Sequence, residues 1–298
     1  MFDLRYHVAS LAAVFFALVI GILVGVALAS HGLKNTERVR LQEDLRRSEN
    51  RADALRSQLD AVAQSGAADT AFVDRTYKLV MANRLKGKRI AVLFVGSTNG
   101  DELRWIRTAL KDADGGDPLR IRAIAVPINE TRLAKRLAKR PFLAAYAGDD
   151  QLQSLGHALG QEFGAGTDTP LWNALESLIA EESVGKAKPP ADGVIVVRNA
   201  KPQMGPTALF LRGLYSGLQD AGIPAVGVDL SAGDGTAIKA FQHAGLSTVD
   251  DIETTVGKLA LVLMLSDAGV RGDFGTKPTA KNGLLPKVVS PAPTTTSG

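Results

Sequence analysis

Ile90-Ala91-Val92-Leu93-Phe94-Val95 decides the fold; Lys88-Arg89 precedes it and Gly96-Ser97-Thr98-Asn99-Gly100-Asp101 follows. Its apolar residues do not alternate with polar ones, so the run suits a strand buried on both faces rather than one that is half solvated. Outward from it, Leu103, Ile106 and Leu110 mark a helix, and Leu119–Val126 reads as a second strand stopped by Pro127. Thr131–Arg140 is a short basic helix, and Asp149–Ala180 is helical or irregular. Gly193–Val197 reads as a third strand, Leu209, Leu214 and Leu218 as a helix, and Ala225–Val228 as a strand after Pro224. A helix over Ile238–Ala244, a short extended Ser247–Val249 and a closing helix over Asp251–Leu265 complete the pattern. Strands alternating with helices predict an α/β domain over residues 88–272 with a doubly wound, largely parallel sheet. Residues 273–298 read as a disordered tail, Pro/Thr-rich from Pro286 to Gly298.

Toward the N-terminus the chemistry changes. After a short flank (residues 1–7), Val8–Ala29 holds 22 residues without a charge. At 1.5 Å per residue this spans roughly 33 Å, enough for a hydrocarbon core. A single transmembrane helix over residues 8–30 is therefore expected. Ala27-Leu28-Ala29 before Ser30 fits a signal-peptide cleavage rule, but the apolar run is too long and its flank too weakly basic for an ordinary signal peptide. An uncleaved anchor is the expectation. Lys34, Arg38 and Arg40 follow the segment and Arg5 precedes it, which alone would place the C-terminal side in the cytoplasm. A flank this short behaves instead like that of a signal anchor, so charge leaves orientation open. Small residues recur every fourth position, with Gly21-x-x-x-Gly25 at their centre, a face another helix could approach.

Residues 34–64 carry a heptad pattern. With Arg38 at a, Leu45 and Leu59 are a sites and Leu41 and Leu55 are d sites, which predicts a coiled-coil stalk with those four leucines as its seam. In a parallel homodimer Asp44 would face Glu49 and Arg51 would face Arg56. These like-signed pairs favour a different helical partner or an antiparallel arrangement, while a helix folding back on its own domain stays open. Ser65-Gly66 interrupts the pattern. A linker helix over residues 65–87, capped by Asp69 or Thr70, would place Phe72, Val73, Thr76, Leu79 and Val80 on one stripe.

The chain has 298 residues, 45% of them hydrophobic, which excludes wholesale disorder. It has no Cys, which removes disulfide scaffolds, thiolate metal sites and cysteine nucleophiles. A net charge of +4 favours anionic partners such as lipid headgroups but falls short of a nucleic-acid footprint, so no nucleic-acid partner is expected. His7, His31, His157 and His243 form no metal-ligating pair, and His7 and His31 bracket the apolar segment. The methionines are Met1, Met81, Met204 and Met264, too scattered for a thioether copper site. The loop Gly96–Asp101 stands where dinucleotide folds hold phosphate, but it lacks their glycine patterns, so Gly96 and Gly100 read as turn residues. Asp229, Asp234, Asp250, Asp251 and Asp267 fall at loops or helix starts; a divalent cation or local capping would both use them there. Arg132, Lys135, Arg136, Lys139 and Arg140 make either a solvated face or a dock for something anionic. No residue pattern points to catalysis or to a bound cofactor.

The opening Met1-Phe2-Asp3-Leu4-Arg5-Tyr6-His7-Val8-Ala9-Ser10-Leu11, running into Gly21-Ile22-Leu23-Val24-Gly25-Val26, resembles the start of the MctB family. So do Gly245-Leu246-Ser247-Thr248-Val249-Asp250-Asp251 and the later Thr255-x-Gly257-Lys258-Leu259-Ala260-Leu261, and so does the order of anchor, coiled coil and α/β domain. The family is an actinobacterial one, named for a copper transport protein of the outer membrane. The resemblance implies a membrane protein of the cell envelope with a role in copper efflux or homeostasis, its large domain outside the cytoplasm and an outer-membrane location open. It equally admits a partner in cell-wall remodelling at division, recruited through a coiled coil. Copper is implied by the resemblance alone, and no ligand residues carry over. The lone apolar helix has no lumen, so a conduit would require oligomerisation.

Overall fold

A computed structural model describes residues 4–166, 169–185 and 189–287. The chain divides into two compact units, residues 1–70 and 71–298, taken separately below.

The described residues of the first unit all belong to helix α1, whose full extent is Leu4–Met81. Its Val8–Ala29 portion is, among the described residues, the one helix long and apolar enough to cross a membrane. The expected break at Ser65-Gly66 does not occur. The helix passes through Gly66, and Thr70 Oγ1 donates to the Gly66 carbonyl at 2.8 Å, so this hydroxyl bonds back within the helix instead of capping a new one. One glycine in a helix costs only about 1 kcal/mol against alanine, too little to end a run of good helix formers.

In the second unit, seven strands form one sheet in the order β3-β2-β1-β4-β5-β6-β7. In chain order these are β1 (Ile90–Val95), β2 (Arg120–Ile124), β3 (Ala180–Gly185), β4 (Gly193–Arg198), β5 (Ala225–Val228), β6 (Ser247–Val249) and β7 (Asp273–Phe274). The connecting helices are α2 (Gly100–Asp112), α3 (Glu130–Leu137), α4 (Leu152–Ala165), α5 (Pro170–Ile179), α6 (Gly205–Gln219), α7 (Thr236–His243) and α8 (Thr255–Ser266). Every strand pairing is parallel except β2 with β3, so the sheet is mixed with one antiparallel edge.

The burial of β1 explains its sequence. Ala91, Leu93 and Val95 pack into one core with α3 to α7, while Ile90, Val92 and Phe94 pack into the other with α2, α8 and the end of α1. A strand covered on both faces has no use for polar alternation. The buried face at the end of α1 is Val73, Thr76, Tyr77, Val80 and Met81; Phe72 and Leu79, expected on that stripe, are exposed. The Tyr77 hydroxyl donates to Asp112 Oδ2 at 2.9 Å, joining this helix end to α2.

Three further expectations change. The basic helix ends at Leu137 rather than Arg140, because Arg140 precedes Pro141 and adopts an extended conformation (φ −128°, ψ 121°). The tail expected from residue 273 is structured as far as 287: β7 joins the sheet, and Asp250 accepts from Thr276 N at 2.8 Å and from Lys277 N. Residues 288–298, the rest of that expected tail, lie outside the described residues. Finally, β3 was hidden in sequence by its polar residues, Ala-Glu-Glu-Ser-Val-Gly, which suit an exposed edge.

Glycines govern the closest helix packing. A Cβ on Gly213 would stand 1.9 Å from the Gln153 carbonyl oxygen, and one on Gly217 would stand 2.0 Å from that of His157. On the facing helix, Gly156 and Gly160 meet the carbonyls of Phe210 and Leu214 in the same way. Helices α4 and α6 therefore touch backbone to backbone through paired Gly-x-x-x-Gly steps.

Candidate functional site at the carboxyl edge of the sheet

The strand order reverses between β1 and β4, and in α/β sheets the crevice beyond such a point is the usual binding place. Here the loops after β1 and β4 run close together. Asn199 N and Ala200 N both donate to the Val95 carbonyl, and Asn199 Nδ2 donates to the Ser97 carbonyl at 2.9 Å. Gly96 has φ +91°, and a Cβ there would lie 3.0 Å from Ala200 N. This glycine is thus a turn residue required by backbone approach.

The arrangement does not suit a phosphate. The first turn of α2 is capped by the Asn99 side chain, which accepts from Asp101 N and Glu102 N. Asp101 and Glu102 add two carboxylates where an anion would sit, so the helix dipole is already compensated. Glu102 is buried, and one of its carboxylate oxygens has no partner. Burial pushes its carboxyl above the usual range; a hydrogen bond to Asn199 opposes this and the charge of Asp229 adds to it.

Around it gather carboxylates from the ends of β5 and β6. Asp229 Oδ2 pairs with Lys277 Nζ at 2.8 Å, with side chains 15% and 11% exposed. Asp250, 1% exposed, is occupied by the amides of Thr276 and Lys277. Asp251 accepts from Thr254 Oγ1 at 3.2 Å; burial and the adjoining Asp250 charge raise its carboxyl to about 6. Glu253 accepts from both Ser231 N and Ser231 Oγ. Two more of the aspartates singled out in sequence serve turns: Asp234 accepts from Thr236 N, and Asp267 from Gly269 N. The structure thus brings Asp229, Asp250 and Asp251 together but engages them with amides, a hydroxyl and one ammonium. No group of three His, Asp or Glu side chains placed to hold a metal ion occurs among the described residues.

The histidines sit elsewhere. His157 Nε2 lies 2.9 Å from Asp220 Oδ2, and His243 lines a groove between α6 and α7; the side chains of His7 and His31 lie outside the described residues. Met81 and Met264 are fully buried in the core and Met204 is 88% exposed, so these thioethers do not converge; Met1 lies outside the described residues. The basic side chains of α3 face outward while Leu133 and Leu137 are buried.

In the first unit, Leu41, Leu45, Leu55 and Leu59 are each more than half exposed, and a Cβ on Gly21 or Gly25 would meet nothing within 4 Å. Sequence reasoning missed Glu102, Lys277 and Arg198, since a lone charged residue gives no periodic signal.

A family model described as copper transport outer membrane protein, MctB, matches residues 1–285. No curated protein matches the chain.

Proposed function

We infer the role of this protein from one premise: the chain belongs to the MctB family of copper transport outer membrane proteins. It is a copper transport-related protein with one N-terminal apolar helix, compatible with a membrane anchor or a signal sequence. We propose that it is an uncleaved, single-pass envelope protein whose large domain lies outside the cytoplasm and which works in copper efflux or homeostasis through assembly with other chains. The family match over residues 1–285 carries the copper reading. The chain's own chemistry supports the word assembly. A lone helix encloses no lumen, and a sheet covered on both faces by helices is no barrel. With no Cys and two of its four Met in the core, the protein offers few soft ligands for Cu(I), so copper passes as cargo of a complex.

The contact surface in this proposal is the leucine stripe Leu41, Leu45, Leu55 and Leu59, which takes a helix of another protein as a coiled coil, with Gly21 and Gly25 letting a second helix approach in the membrane. The test is copper content of cells lacking the protein, complemented by the full chain or by a variant with the four leucines changed to serine. Raised copper restored by the full chain alone supports both parts. Copper unchanged on deletion rejects the copper reading, and full rescue by the stripe variant rejects the assembly.

A second reading rests on the same stripe. The like-signed pairs Asp44 with Glu49 and Arg51 with Arg56 disfavour a parallel homodimer and favour a different partner. That partner would be an envelope protein of wall remodelling or division, and the chain a non-catalytic scaffold. Crosslinking in native membranes, with partners read by mass spectrometry, separates the two.

A further inference from the structure

Two of the residues with a buried polar atom that has no partner, Tyr215 and Arg198, line one cavity. It holds about 480 Å³ between α6 and α7, above the end of β4, within the range of small-molecule sites. Tyr215 from α6 forms part of its wall. This residue is 3% exposed, stacks edge-on against Phe241 with ring centroids 5.1 Å apart, and its hydroxyl has no partner. Arg198, the last residue of β4, also lines the cavity. One of its terminal nitrogens donates to Thr236 Oγ1 at 2.7 Å, while its buried Nε has no partner. Arg198 and Tyr215 thus belong to the same cavity wall. A buried donor left without a partner is unfavourable, and two such donors belong to the residues of this one cavity wall.

The rest of the lining has the same chemical sense. Arg212 and His243 stand at the exposed rim, Gln203 contributes an amide, and among the described residues no carboxylate lines the cavity. Asp234, the carboxylate that senses Arg198, is exposed and already accepts from Thr236 N and Oγ1. Ala208 and Leu211 supply an apolar wall. Hydrogen-bond donors and guanidinium charge at one end, with hydrocarbon beside them, match a ligand whose head is acceptor-only and negative.

We propose that the α6–α7 cavity binds a small organic anion, its carboxylate or phosphate head held by Arg198 and Tyr215 and its body lying against Ala208 and Leu211. The site lies, like the carboxylate cluster, at the carboxyl edge of the sheet. It stands whether or not the copper reading does.

The test is titration calorimetry of the full chain in detergent with three probes of one body: phenyl phosphate, benzoate and the neutral benzyl alcohol. The expected result is saturable binding of at least one anion at one equivalent, with no heat from the alcohol; which anion binds identifies the head. Tyr215→Phe removes only a hydroxyl that bonds to nothing in the protein, so its melting temperature should stay equal or rise. It should nonetheless weaken the anion about tenfold, the loss of one hydrogen bond. Arg212→Gln, at the exposed rim, should weaken the anion without unfolding the domain. Absence of anion binding overturns the proposal. So does binding that the alcohol matches, or binding that neither variant weakens, since a cavity that merely holds water would behave in these ways.

Discussion

Lys277 Nζ lies 2.8 Å from Asp229 Oδ2, and this pair joins the end of β5 to a segment 48 residues later that follows the last strand. The same segment is held a second time, because Asp250 accepts from the backbone amides of Thr276 and Lys277. A half-buried and a buried aspartate, just past the ends of adjacent strands, thus fix a stretch of chain whose composition alone reads as tail. The contacts also explain why these carboxylates are poor metal ligands: their lone pairs are committed.

Lys277→Met should cost about 3 kcal/mol in chemical denaturation, because it leaves the Asp229 carboxylate desolvated and unpaired. The double variant Asp229→Leu with Lys277→Met should be less damaging than the sum of the two single changes. Additive losses would show that the pair is not coupled in the fold.

Gly217→Ala should destabilise by more than about 2 kcal/mol, since the new methyl would stand 2.0 Å from the His157 carbonyl oxygen and force α4 and α6 apart. Gly21→Ala meets nothing within 4 Å and should leave the melting temperature unchanged. Equal melting temperatures for the wild type and Gly217→Ala would refute the backbone contact.

Asp251 supplies a pH prediction. Its carboxyl is raised to about 6 by burial and by Asp250, against about 3.9 in an unfolded chain. A raised folded value favours the native state below the unfolded value, and this contribution is lost as pH rises through about 6. The stability of Asp251→Asn minus that of the wild type should therefore grow between about pH 4 and pH 6, by up to roughly 2 kcal/mol. Denaturation curves across that range decide it; a flat difference would mean that Asp251 titrates normally.

Asp44→Lys combined with Glu49→Lys should change which proteins crosslink to the chain and leave the melting of the α/β unit where it is. Exposed helix charges contribute only a few tenths of a kcal/mol to their own helix, so any larger effect has to come from a partner. An unaltered crosslinking pattern would remove the stripe from the interface.

How much of this was legible in the sequence depends on the range of the interaction. The β1 strand, the helices around it and the apolar Val8–Ala29 segment were readable because each depends on composition and period within one short window. Boundaries were harder to read: the basic helix was expected to reach Arg140, but it ends at Leu137 because Arg140 before Pro141 is extended. Gly66 misled, since a glycine is a weak breaker inside good helix formers. Of the site, Asp229, Asp250 and Asp251 were visible as loop aspartates, but their partners were not.

Local chemistry by itself therefore determined an apolar helix of membrane length, a heptad stripe of exposed leucines and a mainly parallel α/β unit. Only the tertiary structure decided that the polar β3 and the two-residue β7 complete the sheet and that Gly213 and Gly217 meet a facing helix. It also brought Arg198 and Tyr215 to one cavity. These features arise between residues far apart in the chain, where no repeat or pattern records which side chains will meet; burial and close approach acquire a location only once the chain has folded.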